Sequence, residues 1–385
     1  MNLLRLVFKN IFRHKLRSML TILGIAVTIL AFGLLRTLIA AWYAGVEASA
    51  DNRLITRNSV SFIFPLPLAY RDQIANVPGV SQVTYANWFQ GIYIDQNQFF
   101  PRMGVDAETL FESYPEFLIT ADELAEFKKE RNAAVVGSII AQRYNLHLGD
   151  IMQIKGDIYP GEYEFVIRGI YRPRDSKTDA TQMFFHWDYL NEHAKEIGYE
   201  ANMVGWYIIT VDDPDQSAVI SEAVDALFHN SRAETKTETE AAFAHSFISM
   251  SDAILKSINA ISIIIIGIII LVLANTMAMT ARERMQEYAV LKTLGFPGAF
   301  LTYLIYGEAL LISVLGGIIG ISLTFPLARG VQEAVPAGYF PVFDVTAGTI
   351  LLCALAVLIV SIFSSAYPVW KARSQTIVDG LRQIG

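Results

Sequence analysis

The sequence has few of the residues that a disulfide-stabilised domain or a common type of enzyme requires. Cys353 is the only cysteine among 385 residues, so no disulfide can form within the chain. The phosphate-binding motif G-x-x-x-x-G-K-[ST], the zinc motif H-E-x-x-H and the nucleophile motif G-x-S-x-G do not occur. The six histidines are scattered, and His186 and His193 would lie two helical turns apart, too far for one ordinary zinc site. We therefore expect no catalytic residue, no metal and no cofactor on this chain.

Charged residues are scarce as well, and apolar ones are grouped in long runs. Charged residues make up 17% and apolar residues 53% of the sequence, with a mean hydropathy of +0.37. This is too apolar for one soluble domain and too charged for a chain that lies wholly within the membrane. Four windows are long enough to cross a bilayer of roughly 30 Å. They predict an α-helical four-span bundle with a large water-exposed domain between the first and second spans.

Lys and Arg predict the orientation of these spans. Residues 1–17 contain five Lys or Arg and no acid, so the N-terminus should be cytoplasmic. Residues 47–255 contain 16 Lys or Arg against 31 Asp or Glu, which places them outside and argues against binding of nucleic acid. The predicted boundaries are a cytoplasmic amphipathic segment at 1–17, spans at 18–46, 256–281, 299–328 and 345–370, an exterior domain at 47–255, a cytoplasmic helix at 282–298, an outer loop at 329–344 and a cytoplasmic tail at 371–385. The alternative for residues 1–17 is that they are only the basic flank of the first span.

The N-terminal apolar run has a signal peptide as its alternative interpretation. Ala48-Ser49-Ala50 resembles a cleavage site formed by small residues. The run before it is too long for the apolar region of a signal peptide, so we predict an uncleaved span.

The exterior domain has the pattern of a mixed α/β fold. Residues 163–171 alternate Tyr, Phe and Ile with polar residues, which predicts a strand, and Trp206–Val211 has similar content. Asp213 as the cap, Pro214 in the first turn and Gln216 closing a capping box predict the start of a helix. That helix should bury Ile220, Val224, Leu227 and Phe228. Further strands are expected at 80–85, 91–94, 133–136 and 152–154, and helices at 66–76 and 138–144. One long helix, from about Ala241 to Met279, should then lead into the second span.

The stretch Thr280–Ala299 is the only charged interruption between the second and third spans. Its spacing predicts a short amphipathic helix with mixed charge facing outward, and Gly295 followed by Pro297 is a stop signal. An ordinary basic cytoplasmic loop would have the same composition, and composition alone does not separate the two interpretations.

The string ERMQEYAVLKTLG within this stretch resembles the coupling helix of the FtsX/MacB family of ABC-transporter permeases. Gln286 and Tyr288 depart from positions that are commonly basic and aliphatic in that family. The segment KNIFRHKLRSMLTILGIAV and the closing YPVWKARSQTIVDGLR resemble the family's first and last spans. The resemblance implies that the ATPase-coupling residues are Arg282, Glu283, Arg284, Glu287, Leu291, Leu294 and Gly295.

The strings VPGV, GVD and VVGSIIAQRYNLHLGD in the exterior domain resemble the periplasmic core domain of MacB-like permeases. That resemblance implies two lobes, with residues of about 112–192 forming an inserted lobe.

The third span contains the remaining candidate residues. Glu308 is its only charge, and an intramembrane carboxylate is a functional candidate by default. The alternative is a structural carboxylate near the cytoplasmic interface that is bonded to a neighbouring helix. Gly316, Gly317 and Gly320 form a face of small residues suited to close helix packing.

The resemblance implies the permease subunit of an ABC transporter in the bacterial inner membrane, with ATP bound by a separate ATPase subunit. Expected partners are that ATPase, a second permease copy or paralogue, the lipid bilayer, and a periplasmic adaptor. Motion of the exterior domain would export or extract a lipid, lipoprotein, peptide or small amphiphile. The alternative is an FtsX-like signalling scaffold that activates cell-wall hydrolases. A third class, a membrane-anchored exterior enzyme, lacks the motifs that it would need.

Overall fold

The computed structural model describes residues 7, 8, 10, 12–95, 98–336, 340 and 342–374. Much of the predicted N-terminal segment 1–17 and the predicted tail beyond residue 374 therefore lie outside the described residues. The chain divides into two compact units. We call Met1–Ala40, Asp252–Val331 and Phe343–Gly385 the membrane unit, and Ala41–Ser251 with Gln332–Val342 the exterior unit.

The described helices follow a short 3-10 turn at Phe12–His14. They are α1 (Lys15–Ala48), α2 (Tyr70–Ala75), α3 (Leu110–Ser113), α4 (Ala121–Lys129), α5 (Ser138–Tyr144), α6 (Trp187–Glu196), α7 (Ser217–Leu227), α8 (Glu240–Met250), α9 (Asp252–Glu283), α10 (Met285–Thr293), α11 (Gly298–Ala334) and α12 (Ala347–Ser374).

Four of these helices, α1, α9, α11 and α12, are long and apolar enough to cross a membrane. The apolar windows at 18–46, 256–281, 299–328 and 345–370 fall on them. Their buried side chains form one cluster that includes Ile25, Ile29, Leu273, Leu304 and Val360. Since the mixed α/β domain lies between α1 and α9 in the chain, the predicted fold class is confirmed.

The prediction of one continuous helix from about Ala241 to Met279 is wrong. The structure has two helices, α8 and α9, with Ser251 between them. The Ser251 N–H donates to the Ile248 carbonyl at 2.9 Å, a bond that spans three residues rather than the four of an α-helix. The absence of Gly and Pro in this segment was therefore not sufficient to keep the helix continuous.

The exterior unit is built on one mixed sheet. Its strands are β1 (Arg53–Asn58), β2 (Leu66–Pro67), β3 (Val80–Trp88), β4 (Gly91–Ile92), β5 (Arg102–Val105), β6 (Phe117–Leu118), β7 (Ala133–Gly137), β8 (Ile151–Gly156), β9 (Gly161–Pro173), β10 (Met183–His186), β11 (Met203–Val204), β12 (Trp206–Val211) and β13 (Thr235–Thr239). The order in the sheet is β13-β1-β12-β3-β5-β10-β7-β9-β8-β4, with β6 paired to β9, while β2 and β11 form a separate pair. The pairs β5–β10 and β7–β9 are parallel, and the other pairs are antiparallel.

The predicted alternation in β9 is confirmed. Tyr163, Phe165 and Ile167 are buried, while Glu162 and Glu164 are exposed. In contrast, β10 was not predicted, because all four of its residues are buried and no alternation marks it. It lies inside the predicted inserted lobe 112–192 but pairs with β5 outside it, so the sheet is continuous across that boundary.

Two local predictions about helix ends need correction. The predicted helix at 66–76 begins only at Tyr70, because Leu66 and Pro67 form β2. The Asp213 carboxylate accepts from the Asp215 N–H as a cap, but Gln216 donates to that carboxylate instead of closing a box on the backbone. On α7, Ile220 and Val224 are buried as expected, whereas Leu227 is 49% exposed.

Candidate functional site

The predicted coupling helix is a separate short element between α9 and α11. Arg284, with φ −104° and ψ 14°, interrupts the helical path after Glu283, and α10 begins at Met285. At its other end Gly295 adopts φ +88°, a conformation that costs glycine nothing. The Gly295 N–H donates to the Lys292 carbonyl and the Phe296 N–H to the Leu291 carbonyl, which is the Schellman arrangement. Both ends of the predicted helix 282–298 thus differ from the observed α10.

One face of α10 belongs to the core of the membrane unit. Met285, Tyr288 and Ala289 are at most 5% exposed, and Met285 and Tyr288 lie in the same cluster as the spans. Leu291 is half-buried and packs against this cluster. These contacts attach α10 firmly to the spans.

Arg284 lies inward, which corrects the expectation that the charges of this stretch all face outward. Its side chain is 10% exposed, and one guanidinium nitrogen donates to Glu308 Oε1 at 2.5 Å. Its Nε donates to Glu287 Oε2 at 2.9 Å. Burial alone would lower the pKa of Arg284, but the charge of Glu308 and the hydrogen bonds raise it above its ordinary value. Arg284 is therefore a permanent cation held inside the unit.

Glu308 is buried, with 4% of its surface exposed. Besides the bond from Arg284, its Oε1 accepts a hydrogen bond from the Asn10 side chain at 2.7 Å. This carboxylate therefore joins α11 to Arg284 and to the segment before α1. A carboxylate is costly to bury unless it is paired and hydrogen-bonded, as Glu308 is here.

Two further acidic residues of the stretch bind basic residues from the start of the chain. Arg17 makes two hydrogen bonds to the Glu283 carboxylate, at 2.7 and 2.8 Å. Arg13 pairs with Glu287. Partial burial would raise the pKa of Glu287, but hydrogen bonds from Arg284 and Arg13 outweigh burial and lower it. The sequence indicated only that Arg13 and Arg17 help to orient the first span. Their acidic partners lie more than 260 residues away in the chain, so these ion pairs were not predicted.

Lys292 connects α10 to the fourth span. Its ammonium donates to the carbonyl oxygens of Ala372 and Arg373, at 2.9 and 3.2 Å, near the end of α12. The last carbonyls of a helix lack partners within the helix and carry partial negative charge, so a lysine there is favourable.

The outer face of α10 and of its flanking turns is exposed. It comprises Arg282, Gln286, Val290, Thr293, Leu294 and Phe296. Val290, Leu294 and Phe296 are 47, 69 and 39% exposed, so three apolar side chains lie on this face. We call these six residues the outer stripe. Leu294 and Arg282 were predicted coupling residues, whereas Val290 and Phe296 were missed, although the spacing of four from Gln286 through Val290 to Leu294 marks a common face of α10.

The three glycines of α11 lie where other helices approach closely. A Cβ on Gly316 would lie 2.8 Å from the Ile22 carbonyl oxygen, and one on Gly320 would lie 2.6 Å from that of Ala26. A Cβ on Gly317 would lie 2.5 Å from Val357 of α12. Glycine therefore lets α11 pack directly against the backbone of α1.

Among the described residues, no group of three or more His, Cys, Asp or Glu side chains is arranged to hold a metal ion. The carboxylates of the site are instead occupied by Arg and Asn side chains.

Comparison with known proteins identifies the two parts of the chain. Residues 18–227 match the MacB-like periplasmic core domain, and residues 259–377 match the FtsX-like permease C-terminal family. The ABC transporter permease MJ1507 of Methanocaldococcus jannaschii is 23% identical over 424 residues, which covers 99% of this chain and 98% of that protein. The ABC transporter permease YtrF of Bacillus subtilis is 24% identical over 248 residues, covering 61% of this chain and 54% of YtrF.

Among solved structures, the chain is similar to the periplasmic region of MacB from Actinobacillus actinomycetemcomitans. The match covers 52% of this chain and 95% of that structure, with 10% identity and a TM-score of 0.38. The core-domain family alone matches more than half of the chain, and the C-terminal family matches three of the long apolar helices. The chain therefore belongs to the ABC transporter permeases of the MacB/FtsX type, multi-pass proteins of the inner membrane with a large extracytoplasmic domain.

Proposed function

We propose that this chain is the non-catalytic permease subunit of an ABC transporter and that it couples ATP hydrolysis to motion of its exterior domain. ATP binds to a separate ATPase chain, which docks on the outer stripe. The substrate is a lipid, lipoprotein, peptide or small amphiphile that is exported or extracted outside the inner membrane. The observation that carries this proposal is an exposed apolar stripe on a helix whose opposite face is fixed to the spans.

The contacts of α10 suit it to transmit force. It follows α9 directly in the chain, and Arg284 binds Glu308 of α11. Lys292 binds the end of α12, while Arg13, just before α1, pairs with Glu287. All four spans thus have a connection to α10 or its N-cap residue. Because packed interiors are not continuously deformable, a displacement of α10 should move the spans together.

Four spans are few for a transport path, so we propose a dimer of permease chains with one ATPase under each α10. A homodimer and a heterodimer both fit this arrangement. A periplasmic adaptor is a further expected partner. The MacB-like exterior domain favours transport over the alternative of an FtsX-like signalling scaffold, for which a cell-wall hydrolase would be recovered with the chain.

Docking is tested by changing the outer stripe and leaving the inner contacts intact. Glu287 and Leu291 are less suitable targets, because Glu287 binds two arginines and Leu291 packs on the core. Leu294→Asp combined with Val290→Asp should strongly reduce recovery of the ATPase with the tagged permease. Truncating an apolar anchor at an interface commonly costs about 2 kcal/mol or more, or roughly 30-fold in affinity.

The matched control is Leu294→Met, which keeps an apolar side chain at the same position and should bind normally. A topology reporter and the thermal stability of each variant show whether the chain is inserted and folded. If the aspartate variant recovers the ATPase fully, with normal topology and stability, α10 is not the docking helix. If Arg282→Gln instead disturbs topology while docking is unaffected, the stretch acts as an ordinary basic loop.

A further inference from the structure

A cavity of about 570 Å³ lies within the exterior unit. All of its lining residues belong to that unit, and they come from the last turns of α1, from the central strands, from α8 and from residues 340 and 342. Most of the lining is apolar and includes aromatic side chains such as Trp42, Phe117 and Phe243. Sites for small ligands have this size and character, with a few polar groups at fixed positions.

The polar part of the lining is a buried cluster centred on Arg53. Its side chain is 4% exposed and donates from Nε to Glu240 Oε2 at 2.8 Å. The two terminal nitrogens donate to the Glu116 carboxylate at 2.6 and 3.1 Å. The guanidinium also lies 4.2 Å from the centre of the Tyr114 ring, and the Tyr114 hydroxyl donates to Glu240 at 3.0 Å. The orientation of both carboxylates is therefore fixed.

The charges of this lining do not cancel. One arginine faces the two carboxylates of Glu116 and Glu240, which leaves one negative charge in excess. The lining residue Lys177 does not cancel this excess, because it is paired with Glu47 at 3.6 Å. An excess of negative charge beside an apolar cavity attracts a cation and repels an anion.

We propose that this cavity binds a long-chain cationic amphiphile, with its hydrocarbon chain along the aromatic side chains and its ammonium group near Glu116 and Glu240. Aromatic faces such as that of Tyr114 add a second source of attraction for an ammonium group. As a substrate site the cavity rests on the proposed transport function, and it narrows the substrate class. Binding itself requires no ATPase and can be measured separately.

The test uses the full-length chain in nanodiscs of zwitterionic lipid. Three photoreactive probes carry the same dodecyl chain with a diazirine and differ in their headgroups, which are trimethylammonium, sulfate and maltoside. Mass spectrometry compares labelling of peptides from 41–49 and 240–248 with labelling of the helical segments of the membrane unit, which corrects for partition into the bilayer. We expect the cationic probe to label the cavity at least about fivefold more than the anionic probe, with the neutral probe between them. Equal labelling by all three, or labelling of the spans alone, would overturn the proposal.

Two variants with matched controls locate the site. Ala244→Phe fills the cavity from α8, whereas Ala242→Phe places the same ring at an exposed position of that helix. Only the first should abolish labelling by the cationic probe. Glu116→Gln should reduce the preference for the cation, and Glu222→Gln, at an exposed position on α7, should not.

The headgroup comparison on the unmodified chain decides the question even if Glu116→Gln does not fold. If Ala244→Phe folds and is labelled as strongly as the unmodified chain, the cavity is not the site. Since no ATPase is present, failure here leaves the coupling proposal untouched, and failure of ATPase docking leaves this binding site untouched.

Discussion

Removing the carboxylate of Glu308 is the most informative perturbation of the membrane unit. Glu308 and Arg284 are both buried and are joined at 2.5 Å, so Glu308→Ala would leave a buried guanidinium with one fewer partner. Breaking a buried ion pair by removing one partner costs about 3–5 kcal/mol. Arg284 keeps Glu287 at 2.9 Å, and that carboxylate is 41% exposed, so we expect a loss near the lower limit, about 3 kcal/mol. The hydrogen bond from Asn10 would be lost as well.

The complementary variant replaces both partners with apolar side chains. Arg284→Met combined with Glu308→Leu leaves no unpaired charge, and such replacements are often neutral or stabilising. We therefore expect the double variant to recover most of the stability that Glu308→Ala loses, to within about 1 kcal/mol of the unmodified chain.

The measurement is unfolding of the purified chain in dodecyl maltoside micelles by increasing amounts of sodium dodecyl sulfate, followed by helical circular dichroism. Topology reporters provide the control for insertion. The reasoning is refuted if Glu308→Ala unfolds at the same detergent composition as the unmodified chain. It is also refuted if the double variant is less stable than Glu308→Ala.

Two further predictions concern single positions. Burial raises the pKa of Asp179 above its ordinary value despite hydrogen bonds from Thr181 and Gln182, so folding favours the protonated form. The stability that protonated Asp179 contributes is complete below the pKa of an unfolded aspartate, about 3.9. It is lost as pH rises through the higher pKa that Asp179 has in the folded chain. Asp179→Asn should thus be more stable than the unmodified chain at pH 7 but not at pH 3.5. Thermal unfolding of both intact chains at the two pH values measures this, and a stability difference that is the same at pH 7 and pH 3.5 would contradict the prediction. Gly316→Ala should separate α11 from α1 and destabilise the chain by about 1–3 kcal/mol, because the new Cβ meets a backbone oxygen that cannot give way. Gly330→Ala, in the same helix with nothing within 4 Å, is the control, and equal thermal stability of the two variants would count against close packing.

The features that could be predicted from the sequence are those encoded by neighbouring residues. The spans were predictable because length and apolarity are local properties, and β9 was predictable because its residues alternate. The strands β1, β2, β5, β6, β10, β11 and β13 were missed. β10 is buried on both faces, and β13, TKTET, is polar, with Thr235 and Thr237 donating to Asp225. Neither has the alternation on which a strand prediction depends.

The candidate site also has features that the local sequence predicts and features that it does not. The presence of a short helix between α9 and α11 and its stop at Gly295 follow from the local sequence. The direction of Arg284 does not, because its partner Glu308 lies on another helix and because the break before Met285 changes the helical phase. Pairing of Arg17 with Glu283 joins two segments that are 266 residues apart in the chain, and no pattern within either segment indicates it.

The pairing of Arg13 and Arg17 with Glu287 and Glu283 has a consequence for biosynthesis. The chain is made from its N-terminus, so these arginines reach the membrane long before their acidic partners exist. During that interval their charges are uncompensated and can retain the N-terminus on the cytoplasmic side. Once α9 and α10 have been synthesised, the same charges are neutralised by carboxylates. Arg13→Glu or Arg17→Glu would therefore have two effects. It would first disturb the orientation of the nascent chain and later remove an ion pair from the folded helix bundle.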